Sequence, residues 1–118
     1  MNHVAIKAAL LILLAIPGIH KSLLRLEASA LSDCWEMEFG VACNAAGKCE
    51  FFDGDRETVL VPVKADTVFV AHTQSDATFF EPTPYDLAEA KRTGIPIVVI
   101  SQRHAWIIYA DGTTEEGK

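Results

Sequence analysis

Two short stretches of the chain carry side chains able to share one ligand. In Ala71-His72-Thr73-Gln74-Ser75, His72 and Gln74 are two apart at the end of a β-branched apolar run, so on a strand they point to the same side. In Thr83-Pro84-Tyr85-Asp86, the carboxylate falls in the first turn of a helix that Thr83 caps and Pro84 opens. A His, an i+2 partner and a carboxylate from a helix start make three arms that can converge on one divalent cation. An upstream acid, Glu38 for preference, would then hold or deprotonate a cation-bound water. Each residue also has a plain structural explanation. Thr83-x-x-Asp86 is close to the capping box of any helix start, and a His ending an apolar strand is most often a hydrogen-bonded core or edge residue. Glu36 and Glu38 suit the solvated face of an alternating strand. Taken one at a time, Glu38, His72, Thr83 and Asp86 would each be read structurally.

At these residues the chain resembles the JAB/MPN metalloproteases, whose zinc motif is a Glu on an early strand, then His-x-His, then Ser-x-x-Asp. The resemblance runs from about Gly18 over most of the chain. Tyr85 to Ser101, an Asp-starting helix followed by Gly-Ile-Pro and a Val/Ile strand, is similar to bacterial members. It implies that Glu38 takes the place of the general acid/base, His72 that of the first His ligand and Asp86 that of the carboxylate ligand. Thr83 stands for the Ser that helps bind the tetrahedral intermediate. Gln74 replaces the second His, and an amide oxygen is a harder and, for zinc, weaker donor than imidazole. The resemblance therefore implies a weakened zinc site, with Asp76 or the distant His104 as candidate substitutes. The activity implied is zinc-dependent cleavage of a peptide or isopeptide bond. The alternatives are a catalytically inactive domain of the same fold that binds a protein or peptide partner, and an unrelated α+β protein in which the motif is a coincidence.

These side chains need a framework. Ile19, Leu23, Leu26 and Ala30 recur at helical spacing, which predicts an amphipathic helix from about Gly18 to Leu31. Trp35 to Val41 alternates acids with large apolar residues, as a strand with one face toward the core does. The turn Asn44 to Lys48 leads to a second strand, Cys49 to Phe52, and Asp53-Gly54-Asp55 precedes a third at Thr58 to Val63. Thr67 to Thr73 is a further strand, and a polar loop, Gln74 to Pro82, separates it from a helix that Gly94 and Pro96 stop near Thr93. Ile95 to Ser101 reads as a strand buried on both faces, Ala105 to Ala110 as its neighbour, and the tail from Asp111 as frayed. With no internal repeat and no linker, the expectation is one α+β domain with a central mixed sheet flanked by helices.

A chain of 118 residues, half of them apolar, has room for one domain with a modest core and is far too apolar to be disordered. Sixteen acids against ten bases leave a charge of −6, and without a Lys/Arg cluster this argues against nucleic acid as the main partner. Ala8 to Ile16 is an unbroken apolar run that follows Lys7 and ends at Pro17-Gly18, the order of a secretory signal. It is too short for a membrane span, which needs roughly 20 apolar residues. Residues 1–17 are therefore read as a signal peptide or an apolar first helix, and 18–118 as the domain. A signal implies an exported, periplasmic or extracellular protein; otherwise the chain is cytoplasmic. Cys43 and Cys49 face each other across the expected hairpin, oxidised after export or buried as thiols in a reducing compartment, and Cys34 is read as a small buried hydrophobe. Phe79, Phe80 and Tyr85 border the candidate site as contact surface or loop packing, while Trp35 and Trp106 read as core.

Overall fold

Ile19, Ser22, Leu26 and Ala30 are the buried residues of the first amphipathic stretch, and their spacing puts them on one helix face. In the computed structural model, which describes residues 3–75 and 82–117, they belong to α2 (Pro17–Ser32). Pro17 sits in the first turn, where its missing N–H costs nothing. The apolar run before it forms α1 (His3–Leu14), which meets α2 at a bend of 80°. Leu10 of α1 is buried in the cluster that holds Ile19, Leu26 and Ala30, with Ile6, Leu13 and Leu14 against it. Lys7 and His3 reach Glu115 and Asp111 near the other end of the chain. No single helix among the described residues is long and apolar enough to cross a membrane, although α1 and α2 together, as a bent pair, have the length and composition.

The strands β1 (Phe39–Asn44), β2 (Cys49–Asp53), β3 (Thr67–Thr73), β4 (Ile97–Ile100), β5 (Ala105–Ile108) and β6 (Thr114–Gly117) form one sheet in the order β2-β1-β3-β4-β5-β6. All neighbours are antiparallel except β3 and β4, which α3 (Pro84–Thr93) connects as a crossover. The domain is thus α+β with a mixed sheet. Strand alternation divides the core in two. Phe69 and Ala71 of β3, with Val41 and Cys43 of β1, face α1 and α2. Val70, with Ile97, Val99 and Ile108, packs with Ala90 of α3 on the other side. His72 has the parity of Val70 and emerges on the α3 face.

Five expectations need correction. The strand expected at Trp35 begins only at Phe39, because Cys34 and Trp35 take left-handed φ values of 56° and 58° and turn the chain there. Trp35 is buried as expected, but Cys34 is exposed. Thr58 to Val63 joins no ladder. Both edges of β1 are already occupied by β2 and β3, so the segment crosses the sheet's face instead. It lies so close over Gly40 that a Cβ there would come within 2.3 Å of Val61 Cγ2. The tail does not fray: Thr114–Gly117 pairs with β5, held by the Tyr109 N–H to Thr113 carbonyl bond at 2.8 Å and by the Tyr109 hydroxyl donating to Glu115. The strand expected to run to Ala110 ends two residues early to make this turn.

The β1–β2 hairpin closes on Asn44, whose side chain accepts from the Ala46 and Lys48 N–H groups, and Cys43 and Cys49 form a disulfide directly across the register. Gly47 of that turn presses against Gly18, where a Cβ would lie 2.0 Å from the Gly47 carbonyl oxygen. Since backbone cannot swing aside as a side chain can, Gly18→Ala is expected to cost about 1–3 kcal/mol. Gly94→Ala, with φ +68° and open space around it, should cost only the left-handed penalty of about 1 kcal/mol. Urea unfolding midpoints of the two variants test that order.

Candidate functional site

The parallel pairing of β3 with β4 continues one residue past β3, because the Gln74 N–H donates to the Ile100 carbonyl at 2.8 Å. The strand alternation is therefore kept through Gln74, and His72 and Gln74 both line one cleft under α3. Gln74 is 2% exposed. The opposite arm comes from a complete capping box at the start of α3. The Asp86 N–H donates to Thr83 Oγ1 at 3.2 Å, and Asp86 Oδ2 accepts from both the Thr83 N–H and the Thr83 hydroxyl at 3.0 Å. Oδ2 is thereby committed, and Oδ1 faces His72 Nε2 at 3.0 Å. His72 Nδ1 lies 3.3 Å from the Thr73 carbonyl, which leaves the ring held at both nitrogens.

Glu38 reaches the same cleft from the residue before β1. It is 4% exposed, whereas Glu36 lies in solvent, so the two acids of the alternating stretch are sorted in opposite ways. The turn at Asp53 to Thr58 clasps its backbone: the Glu38 N–H donates to the Asp55 carbonyl and its carbonyl accepts from the Gly54 N–H, both at 2.8 Å. Its carboxylate accepts from the Ser75 N–H at 3.4 Å. Thr73 fixes the next residue, accepting from the Phe39 N–H at 2.9 Å, and the Ser75 hydroxyl donates to the Arg56 carbonyl. Sequence reasoning missed Thr73 and Ser75, since a hydroxyl that serves a distant backbone group leaves no local pattern.

The cleft has a volume of about 530 Å³ and takes in all five expected residues, Glu38, His72, Gln74, Thr83 and Asp86. Its walls include the segment Val59 to Val63 and Tyr85, Glu89 and Arg92 of α3. Tyr85 is 67% exposed at the rim. His104 is not in the lining and pairs instead with Glu116. Asp76, Phe79 and Phe80 lie outside the described residues. Trp106 packs against the α3-side cluster. Among the described residues no three His, Cys, Asp or Glu side chains are grouped to hold a metal, so a cation on His72 and Asp86 would draw its third protein donor from outside those types, at Gln74.

The pair fits such a cation in two respects. Donors at 2.0–2.1 Å from a tetrahedral zinc are ~3.3 Å apart, close to the separation of Nε2 and Oδ1. A backbone carbonyl on Nδ1 is the usual outer partner of a ligating imidazole, since it directs Nε2 to the metal. Without a cation the same geometry makes an ion pair. Burial disfavours protonated His72, but the Asp86 hydrogen bond and charge, the Thr73 carbonyl and the Glu38 charge together outweigh it and hold the pKa above 6.5. Burial likewise opposes ionisation of Asp86, yet the His72 hydrogen bond and charge and the Thr83 donors keep its pKa below 3.8.

No family model matches the chain, and neither a curated protein nor a solved structure matches it.

The sign of the pH dependence follows from these two directions. Stability from His72 is fully present below about pH 6.5 and is lost as pH rises through its raised folded value; stability from Asp86 is present above about 3.8 and is lost as pH falls through its lowered one. In chelator, the urea midpoint should therefore fall as pH is raised from 6 to 9, and His72→Gln should flatten that slope.

Proposed function

We propose that the chain is a JAB/MPN-like, metal-dependent hydrolase of peptide or isopeptide bonds, in which His72, Gln74 and Asp86 hold the cation and Glu38 manages the proton of the attacking water. The observation that carries this reading is the placement of Glu38. A carboxylate serving only as the solvated face of a strand would be exposed, as Glu36 is, whereas Glu38 is buried in the wall of the cleft that holds the His72–Asp86 pair. A bound zinc ion would supply Lewis acidity and a water of lowered pKa. The chain's own part is to keep the donors aimed, and to offer Glu38 as the group that takes a proton from the nucleophile and returns it to the leaving amine.

Thr83 acts in this reading as a positioning residue, since its hydroxyl is spent on Asp86. Tyr85 and the segment Val59 to Val63 supply walls for a protein or peptide substrate. Gln74 in place of an imidazole favours a second reading, an inactive domain that uses the same cleft to bind a protein or peptide partner. In either case the amino-terminal apolar run would carry the chain to an oxidising compartment, a reading that the Cys43–Cys49 disulfide supports.

Metal analysis and peptidase assays separate these readings. The hydrolase reading expects about one zinc per chain, lost in Asp86→Ala, and hydrolysis that falls ~10²–10⁴-fold in Glu38→Gln while the metal stays bound. Metal retained with no hydrolysis assigns the cleft to binding; no metal and no hydrolysis overturns the proposal.

A further inference from the structure

Resting on the assignment of His72 and Asp86 as cation ligands, we infer that Gln74 moves the preference of this site away from zinc and toward harder, oxygen-seeking divalent ions of the Mn²⁺ class. The donor set is one imidazole nitrogen, one carboxylate oxygen and one amide oxygen. The carboxylate offers a single oxygen, because Asp86 Oδ2 is held by the Thr83 N–H and hydroxyl. Among the described residues no sulfur lines the cleft: Cys43 and Cys49 are joined to each other on the α2 side of the sheet and Cys34 is exposed in a turn. Zinc gains most from nitrogen and sulfur donors in a closed tetrahedron, whereas Mn²⁺ accepts carboxylate, carbonyl and water oxygens and fills an octahedron.

The surroundings suit the second pattern. A cleft of about 530 Å³ has room for several waters beside the three protein donors, and the buried Glu38 lies in its wall as an acceptor for them. Any one site of nitrogen and oxygen donors still binds zinc more tightly than Mn²⁺. What Gln74 changes is the margin between the two ions.

Titration calorimetry with zinc chloride and with manganese chloride, on chelator-stripped wild type, Gln74→His, Gln74→Glu and His72→Ala, tests this, and the electron paramagnetic resonance of free Mn²⁺ gives an independent count of bound ion. Gln74→His is expected to gain ~10–100-fold in zinc affinity and less than ~3-fold for Mn²⁺, in line with the size of other ligand-shell changes. Gln74→Glu, which keeps the shape and adds charge, should gain ~10-fold for Mn²⁺, and it decides the matter if Gln74→His fails to fold. An unchanged zinc-to-Mn²⁺ ratio across the Gln74 variants overturns the inference while leaving the cation site intact. Equal, negligible binding by wild type, both Gln74 variants and His72→Ala removes the cation assignment itself.

Discussion

The contact between His72 Nε2 and Asp86 Oδ1 joins the end of the parallel strand pair β3–β4 to the start of the helix that crosses over it. A paired charge at this depth loses much of its hydration, so its partners must restore what water supplied. They do so from both sides. The Thr73 carbonyl faces the far nitrogen of the imidazole, and the cap of α3 saturates the far oxygen of the carboxylate. The negative charge also sits in the first turn of α3, where the helix dipole favours it. Loss of the pair would leave one ion uncompensated between β3 and α3, which is why the arrangement depends on both residues together.

Glu38 enters this environment by a different route. Its strand is the neighbour of β3, and the connection is made through backbone groups: Phe39 to the Thr73 hydroxyl, Ser75 to the Glu38 carboxylate, and the Asp53 to Thr58 turn around the Glu38 peptide. The carboxylate is thus positioned from the adjoining ends of β1 and β3 and from that turn. The segment from Val59 to Val63 forms a wall because β1 has no vacant edge, and Gly40 lets it approach the sheet closely enough to close the cleft.

Local chemistry made much of this legible from the residues alone. The helix at Pro17–Ser32, the strand at Thr67–Thr73 and the capped helix at Pro84–Thr93 follow from periodicity and from Thr, Pro and Gly at helix ends. The five candidate site residues line one cleft. The misreadings have a common cause: strand assignments made segment by segment do not count edges. Thr58 to Val63 is as β-branched as β3 but finds no free partner strand, while the polar Thr114–Gly117 finds one in β5 and becomes a strand against its composition. Burial was equally non-local. Nothing in the alternation of Trp35 to Val41 says that Glu36 faces solvent while Glu38 does not, because two left-handed residues at Cys34 and Trp35 break the pattern before it starts.

The two outer strands, β2 and β6, leave one side of their backbones unpaired within the sheet, rows of N–H and C=O groups able to recruit a strand from another molecule. Both rows are lined with acids, Glu50 and Asp53 on β2 and Glu115 and Glu116 on β6, all of them exposed. Glu50, Glu115 and Glu116 also hold Lys64, Lys7 and His104, so a strand docking on either edge would have to displace hydrated ion pairs before any ladder could form. Part of the charged surface is in this sense a guard against fibrous self-association.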